Sequence, residues 1–575
     1  MNTLLRWIAC LAALLALAAS GRAQGERWTP RALELAGALP VQEGGRVKPL
    51  DTFASFTLLR LNGQRSAVDA DGRKLTPTAW LLDVLFDPEH AARTRCFLVA
   101  DDDALAAIGV QLEERRKRDR YSYRELEPGL SKLMDLAHQY DALEAGRRSS
   151  LQAQVVALAE NVMLFARLSR HEVVALVPPQ ERRAEAWSTP AELRARENTL
   201  GASEAGALAA FEAAAAAALR PREFETALER FHHHAVVGAR LRGEYDKLDS
   251  ERAYYRADLL GWSLKVFLLA FVATAFLWLA PRRRGLYAAS LALASVGAAL
   301  LVAAIVWRCV LRGRPPVTTL YETKLFVTAV GVLVALVIEA IGRQRLALSA
   351  AATLGALGVF VASGYEVLDK RDTMPALVAV LDTNFWLATH VTAISIGYAA
   401  GMLAALLASG YLLAKLFRVR RGDRPFYAAL SRMVYGVLCF GLIFSLVGTM
   451  LGGIWANESW GRFWGWDPKE NGALLIVISQ LVVLHARRGG YLREHGVCMA
   501  AAFGGTVVAF SWWGVNLLGV GLHSYGFTSG IHTALWSYYG VQWSICGLGA
   551  LAWLLERRAA TPTPVEAAVE DSRAT

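Results

Sequence analysis

From Asp258 to Glu556 the chain is a succession of apolar runs separated by short basic or aromatic loops. A bilayer core about 30 Å thick requires about 20 apolar residues per helix, and within it every backbone N–H and C=O has to be satisfied inside the segment. Runs of that length admit one architecture, a bundle of membrane-spanning helices. We place the spans at 258–280, 286–307, 324–342, 346–363, 385–417, 433–454, 472–487, 497–517 and 535–555.

Charge orients the bundle. The formal net charge is +10, and the basic residues of this half gather in alternate loops: Arg282 to Arg284, Arg343 with Arg345, Lys415 to Arg424, Arg487 to Arg493, and Arg557 with Arg558. Loops rich in Lys and Arg stay on the cytoplasmic side of a membrane. The excess is therefore topological, and no basic block with interleaved aromatics in the soluble half offers a nucleic-acid surface.

The opening MNTLLRWIACLAALLALAASGRAQ reads as a signal peptide or signal anchor over residues 1–24, and either puts residues 25–255 on the outer side. That segment is dominated by strong helix formers and predicts a mostly helical extracytoplasmic domain, with turn chemistry at Gly44-Gly45 and Pro49. The Ala/Pro/Thr/Glu-rich end, 557–575, predicts a disordered cytoplasmic tail. The expected class is thus all-α: a signal, a helical soluble domain, a transmembrane domain over 256–556 with about nine spans, and a tail. Six cysteines are scattered without a CxxC pair, and only Cys96 falls in the soluble segment, so a disulfide within that domain is excluded. His232, His233 and His234 point three ways around a helix, which suits a solvated face better than a metal site.

Histidines become informative once depth is assigned. His390, in NFWLATHV, lies near the outer start of one span, and His523, in GVNLLGVGLHSYG, just past the outer end of another. On the same side, WANESWGRFWGWDPKENGALL sets Trp455, Trp460, Phe463, Trp464 and Trp466 in one loop, followed by Asp467-Pro468, which breaks the helix and offers a cap to the next. Two imidazoles from opposite faces hold a haem iron, and flat amphipathic rings suit a porphyrin at the membrane boundary. The rival reading is an interfacial aromatic belt. His485 lies about 21 Å along a helix from Asn471, in the inner part of the bilayer; it is either a functional group at depth or a side chain snorkelling to the headgroups with Arg487 and Arg488. Arg308, Arg312, Arg314, Arg462 and Lys469 are either partners for the two haem propionates or solvated loop charges balanced by Glu322. Glu339 is expected to pair with Arg343 one turn on.

GGIWANESWGRFWGWDPKENGALL, RPPVTTLYET, NFWLATHV and GVNLLGVGLHSYG together resemble the CcsA (ResC) family of system II cytochrome c biogenesis, over residues 258–555. The Trp-rich WWD loop is shared with the CcmC and CcmF branches of the same haem-handling superfamily, whereas TLYET and GVNLLGVGLHSYG favour CcsA. The resemblance implies haem b held by axial ligands His390 and His523 against Trp455, Trp460, Trp464, Trp466 and Asp467, with His485 in the place of an intramembrane histidine that handles haem from the cytoplasmic side. It also implies a bacterial inner membrane protein with the loop facing the periplasm, a separate CcsB (ResB)-like partner, and thioether attachment of haem to the CxxCH of an apocytochrome c. The chain would then be a subunit of a haem lyase. Two other functions compete: a haem exporter or carrier without ligation activity, and a non-haem transporter or scaffold. The second lacks support from matched broken helices or mid-membrane charges. The 25–255 segment is not a typical part of the family and is expected to dock an apocytochrome or the partner.

Overall fold

The computed structural model describes residues 27–110, 119–144, 147–180, 186–376, 384–518, 520–521 and 531–560. The signal region, His523 and the tail beyond Ala560 lie outside the described residues. The chain forms two compact units, one from residues up to Arg256 plus Lys370–Ala376, the other from Ala257–Asp369 and from Leu377 onward.

The first unit is mostly helical, and its described residues include three small two-stranded sheets between the helices. Strand β1 (Pro40–Glu43) pairs antiparallel with β2 (Arg46–Pro49) across Gly44-Gly45. Both glycines have positive φ, 59° and 77°, as a two-residue hairpin turn of matching twist demands. Helices Leu50–Asn62, Pro77–Phe86, Ser150–Ser169, Ala202–Ala216 and Pro221–Leu241 close a core that includes Trp28, Phe53, Trp80, Phe97, Phe211 and Phe224. Cys96 is buried in that core as a free thiol. His233 is exposed, and among the described residues no cluster of His, Cys, Asp or Glu suits a metal.

The second unit is not continuous in sequence. Residues 370–376 belong to the first unit, where the Asp372 carboxylate accepts from Arg46 Nη2 (2.6 Å) and Lys48 Nζ (2.8 Å), while Arg46 also grips Glu251 at 2.8 and 3.0 Å. Burial by itself would raise the Asp372 pKa, but Arg46 and Lys48 outweigh it and hold the group well below the usual carboxylate range. Met374 next to it is fully buried. An acid so compensated, followed by an apolar anchor, explains why residues 370–376 fold into the first unit.

The second unit contains, among the described residues, helices α1 (Leu259–Leu279), α2 (Arg284–Arg312), α3 (Leu320–Gly342), α4 (Leu346–Asp369), α5 (Thr392–Leu416), α6 (Arg424–Trp460), α7 (Pro468–Arg488), α8 (Glu494–Trp512) and α9 (Ile531–Ala560). The first eight are long and apolar enough to cross a membrane. Helix α9 covers the expected ninth span, but with its Tyr, Trp, Ser and Gln residues it is not among those eight. The protein is a multi-pass helical membrane protein.

Helix α5 is the hub, packed by α3, α6, α8 and α9. Its buried face is largely small: Gly397, Ala399, Ala400, Gly401, Ala404, Ala405 and Ala408. Helices in lipid gain little from apolar burial against one another, so close backbone approach through small residues carries their packing; a Cβ added at Gly401 would sit 2.6 Å from Val508. Hydroxyls inside the bundle bond back to carbonyls one turn earlier, as Thr274 does to Ala270 and Ser409 to Ala405. Glu339 corrects an expectation: fully buried, it accepts from the Tyr287 hydroxyl and from the backbone N–H groups of Arg345 and Leu348, so that it caps the start of α4.

Candidate functional site

The Trp-rich stretch is not one loop. Helix α6 runs on through Trp455 and Trp460 and ends at Gly461, whose φ of 69° is the left-handed stop that glycine adopts freely. Only residues 461–467 are irregular, and the next helix starts at Pro468. Asp467 caps it, accepting from the Lys469 N–H (2.9 Å), and Glu470 closes the box by accepting from the N–H groups of Asp467 (3.1 Å) and Gly465 (2.8 Å). The DPKE run is therefore a helix start in which Asp467 caps the helix and Glu470 also ties down the loop before it.

The loop presents its rings outward. Trp466 has φ of 56°, a left-handed conformation costly for a bulky residue, and is 70% exposed. The Asn471 amide donates to its carbonyl (2.9 Å), and its indole meets Trp464 edge-on at 6.2 Å. Phe463 is also exposed and covers Gly453, where a Cβ would be 2.5 Å from the ring. Arg462 lies across Gly465 and reaches Glu470 at 3.9 Å. Lys469, expected among the loop charges, instead turns inward and donates to the Trp512 carbonyl (2.9 Å), pinning the start of α7 to the end of α8.

His390 sits in a π-helical turn, Leu387–Val391, at the head of α5. Such single wide turns occur often at functional sites. Its Nδ1 is 2.7 Å from the Gly448 carbonyl of α6. A carbonyl only accepts, so Nδ1 carries the proton and Nε2 the lone pair that a metal takes. The ring lies along a glycine groove: a Cβ at Gly452 would be 2.6 Å from His390 Cε1, and one at Gly448 2.8 Å from the Ile394 nitrogen. Trp455 packs beside the imidazole, ring centres 5.6 Å apart, and Trp386 lies near-parallel to Trp455 at 6.5 Å and 12°. Trp386 donates its indole N–H to Glu458 (2.8 Å). The structure thus joins His390 to Trp455 and adds Trp386, Gly448, Gly452 and Glu458, which sequence reading missed. GTMLGG, with small residues four apart on one face, was the available signal.

The short helix after α8, Gly514–Leu518, leads toward Gly521, which packs so closely on Asp467 and Pro468 that a side chain there would collide with the carboxylate. His523 follows two residues later in sequence, outside the described residues. Trp460 is half-buried on the last turn of α6.

Two expected groups lie elsewhere. His485 is exposed near the far end of α7, its Nδ1 bonded to the Leu481 carbonyl (2.8 Å), and does not join His390. Arg308 is not a solvated loop charge: it is 2% exposed, pairs with the equally buried Glu322 at 3.0 Å and lies over the Tyr321 ring at 5.0 Å. Glu322 also accepts from the backbone and hydroxyl of Thr318, so the RPPVTTLYET motif is a buried ion pair at the joint of α2 and α3. Arg314 is buried and Arg312 half-buried beside it.

Known sequences converge on this half of the chain. A family described as cytochrome C assembly protein matches residues 317–523. The cytochrome c biogenesis protein CcsA of Chlorella vulgaris is 30% identical over 298 residues, which cover 45% of this chain and 94% of the relative. The protein of the same name from Parasynechococcus marenigrum is 29% identical, over 47% of this chain and 96% of the relative. That of Chlamydomonas reinhardtii reaches 39% over 155 residues, 26% of this chain and 43% of its own length.

Proposed function

The chain belongs to the CcsA family of cytochrome c biogenesis proteins, and from that premise we propose that it binds haem b at the outer surface of the membrane and presents it to the CxxCH thiols of an apocytochrome c. The observation that carries the reading is the His390 imidazole, oriented by the Gly448 carbonyl with Nε2 as its ligating nitrogen and flanked by Trp455 near the end of α6. The residues suit a haem: an imidazole with a fixed tautomer, and exposed rings at Phe463 and Trp466 able to lie on a flat apolar face. His523, two residues beyond the Gly521 contact with Asp467, supplies the second axial ligand in this proposal.

The protein's part in attachment is positioning. A thioether forms as each cysteine thiol adds across a haem vinyl group, and holding the macrocycle edge-outward raises the effective concentration of the two reactants. A CcsB-like membrane partner completes the lyase. His485, on the outer face of α7, meets haem arriving from the cytoplasmic side, and the inner bacterial membrane with a periplasmic WWD loop is the matching location. Arg312, half-buried at the end of α2, is the nearest candidate in this stretch for a haem propionate, since Arg308 is already paired with Glu322.

Purification tests it. The full-length protein should carry haem with a low-spin bis-imidazole spectrum that His390→Ala and His523→Ala abolish. Coexpressed with a CcsB-like partner and a CxxCH reporter, it should support covalent haem attachment. Colourless protein under full haem supply overturns the haem reading; haem-loaded protein whose removal leaves attachment intact makes it a carrier.

A further inference from the structure

We infer that Glu458 is a positioning residue for the iron ligand, acting through Trp386 and Trp455; the inference rests on the haem reading of this site. Trp386 and His390 lie one turn apart, so the indole and the imidazole leave the π-turn region on neighbouring faces. Trp455 is the surface that both rings meet, at 12° and 6.5 Å for Trp386 and at 58° and 5.6 Å for His390. Trp386 is buried, and its N–H is committed to the Glu458 carboxylate at 2.8 Å. Glu458 lies one turn after Trp455 on α6, and Gly448 and Gly452, the carbonyl acceptor and the floor under the imidazole, lie on the same helix.

One helix therefore fixes the ligand ring at three points: a hydrogen bond to Nδ1 from below, a glycine floor, and an indole wall. The wall alone depends on another side chain, because Trp455 faces Trp386, whose indole N–H is committed to the Glu458 carboxylate. A carboxylate is the stronger acceptor for such an anchor. Groups that orient a ligating histidine commonly change metal affinity about 10- to 100-fold when removed.

The test uses full-length protein purified without haem, titrated with haemin in detergent. Glu458→Ala and Trp386→Phe should each weaken haemin binding about tenfold and move part of the spectrum from low-spin to high-spin. Glu458→Gln, whose amide oxygen still accepts from the indole, should stay within about twofold of the parent. Combining Glu458→Ala with Trp386→Phe should cost no more than either alone, since both remove one bond. Near-unchanged thermal unfolding of the haem-free variants separates positioning from collapse of the fold. Parent-like affinity and spin state in Glu458→Ala, or additive losses in the double variant, overturn the inference while the haem reading stands. Failure of the parent protein to bind haemin, or binding untouched by His390→Ala, removes the haem reading and this inference with it.

Discussion

The first unit and the membrane unit both bury charged groups, but they place them differently. In the first, charges come in and are compensated: Asp372 with Arg46 and Lys48, Arg46 with Glu251, and Arg252 with Asp51 at 3.1 Å. In the second, short side chains bond back to their own helix and glycines let backbones meet, while the buried charges Arg308, Glu322, Lys324 and Glu339 lie near helix ends. The reason lies in the surroundings. A spanning helix already satisfies its own backbone and gains little by carrying charge through the middle of the bilayer, so its charges gather near the helix ends, whereas the first unit pairs them within its core. The outward faces follow suit, since exposed Leu268, Phe271, Leu279, Phe360 and Ile443 on the spans would be a liability in water.

The largest contrast should come from His390→Ala, which in the proposed function abolishes the low-spin haem spectrum while leaving unfolding of the soluble unit unchanged. Asp372→Asn is the reciprocal case. It removes the charge that Arg46 and Lys48 share, and should destabilise the soluble unit by about 3 kcal/mol, measured by denaturant-dependent proteolysis in detergent, with the haem spectrum intact. Loss of haem in that variant would show that the two units are coupled.

Asp83 sharpens the contrast through pH. Burial pushes its carboxyl up to about 6, against the pull of His90 and of the Trp28 indole N–H that it accepts at 2.9 Å. Unfolded, an aspartate titrates near 3.9, so between about pH 4 and pH 6 the unfolded chain has lost a proton that the fold still holds. Stability of the soluble unit should therefore fall as pH rises through that window, by up to about 3 kcal/mol, and Asp83→Asn should flatten the slope. Asp372, whose pKa is lowered, acts the other way and only below about pH 4. The smallest effect is expected from Gly452→Ala. The new methyl would press on His390 Cε1, tilting the ring and shifting the haem spectrum with a change in haemin affinity of about fivefold, roughly 1 kcal/mol.

Much of the membrane half was legible because bilayer thickness acts on sequence directly. Helices α1 to α8 fall where apolar runs predicted them, and Asp467-Pro468 reads as a cap in the sequence and is one in the structure. The Trp-rich stretch reads as a single loop because Trp, Asn and Gly are weak helix formers, whereas the helix runs to Trp460 and Gly461 marks the stop. Within the site, His390 and the indoles stood out by chemistry. Glu458 and Gly448 did not, since a glutamate at a helix end and a glycine in a span are ordinary until a partner appears beside them.

Composition and spacing by themselves determined the class of fold, the number of long apolar segments within one, and which residue types gather at one end of the bundle. These follow from local terms, chiefly the length of chain that hydrocarbon accepts and the turns that Gly, Pro and Asp allow. Only the tertiary structure decided that residues 370–376 fold into the soluble unit, that Lys469 turns away from the loop, and that a glycine groove on α6 receives the His390 ring. Each of those depends on groups far apart in sequence meeting at a few ångströms, and no local pattern encodes such a distance.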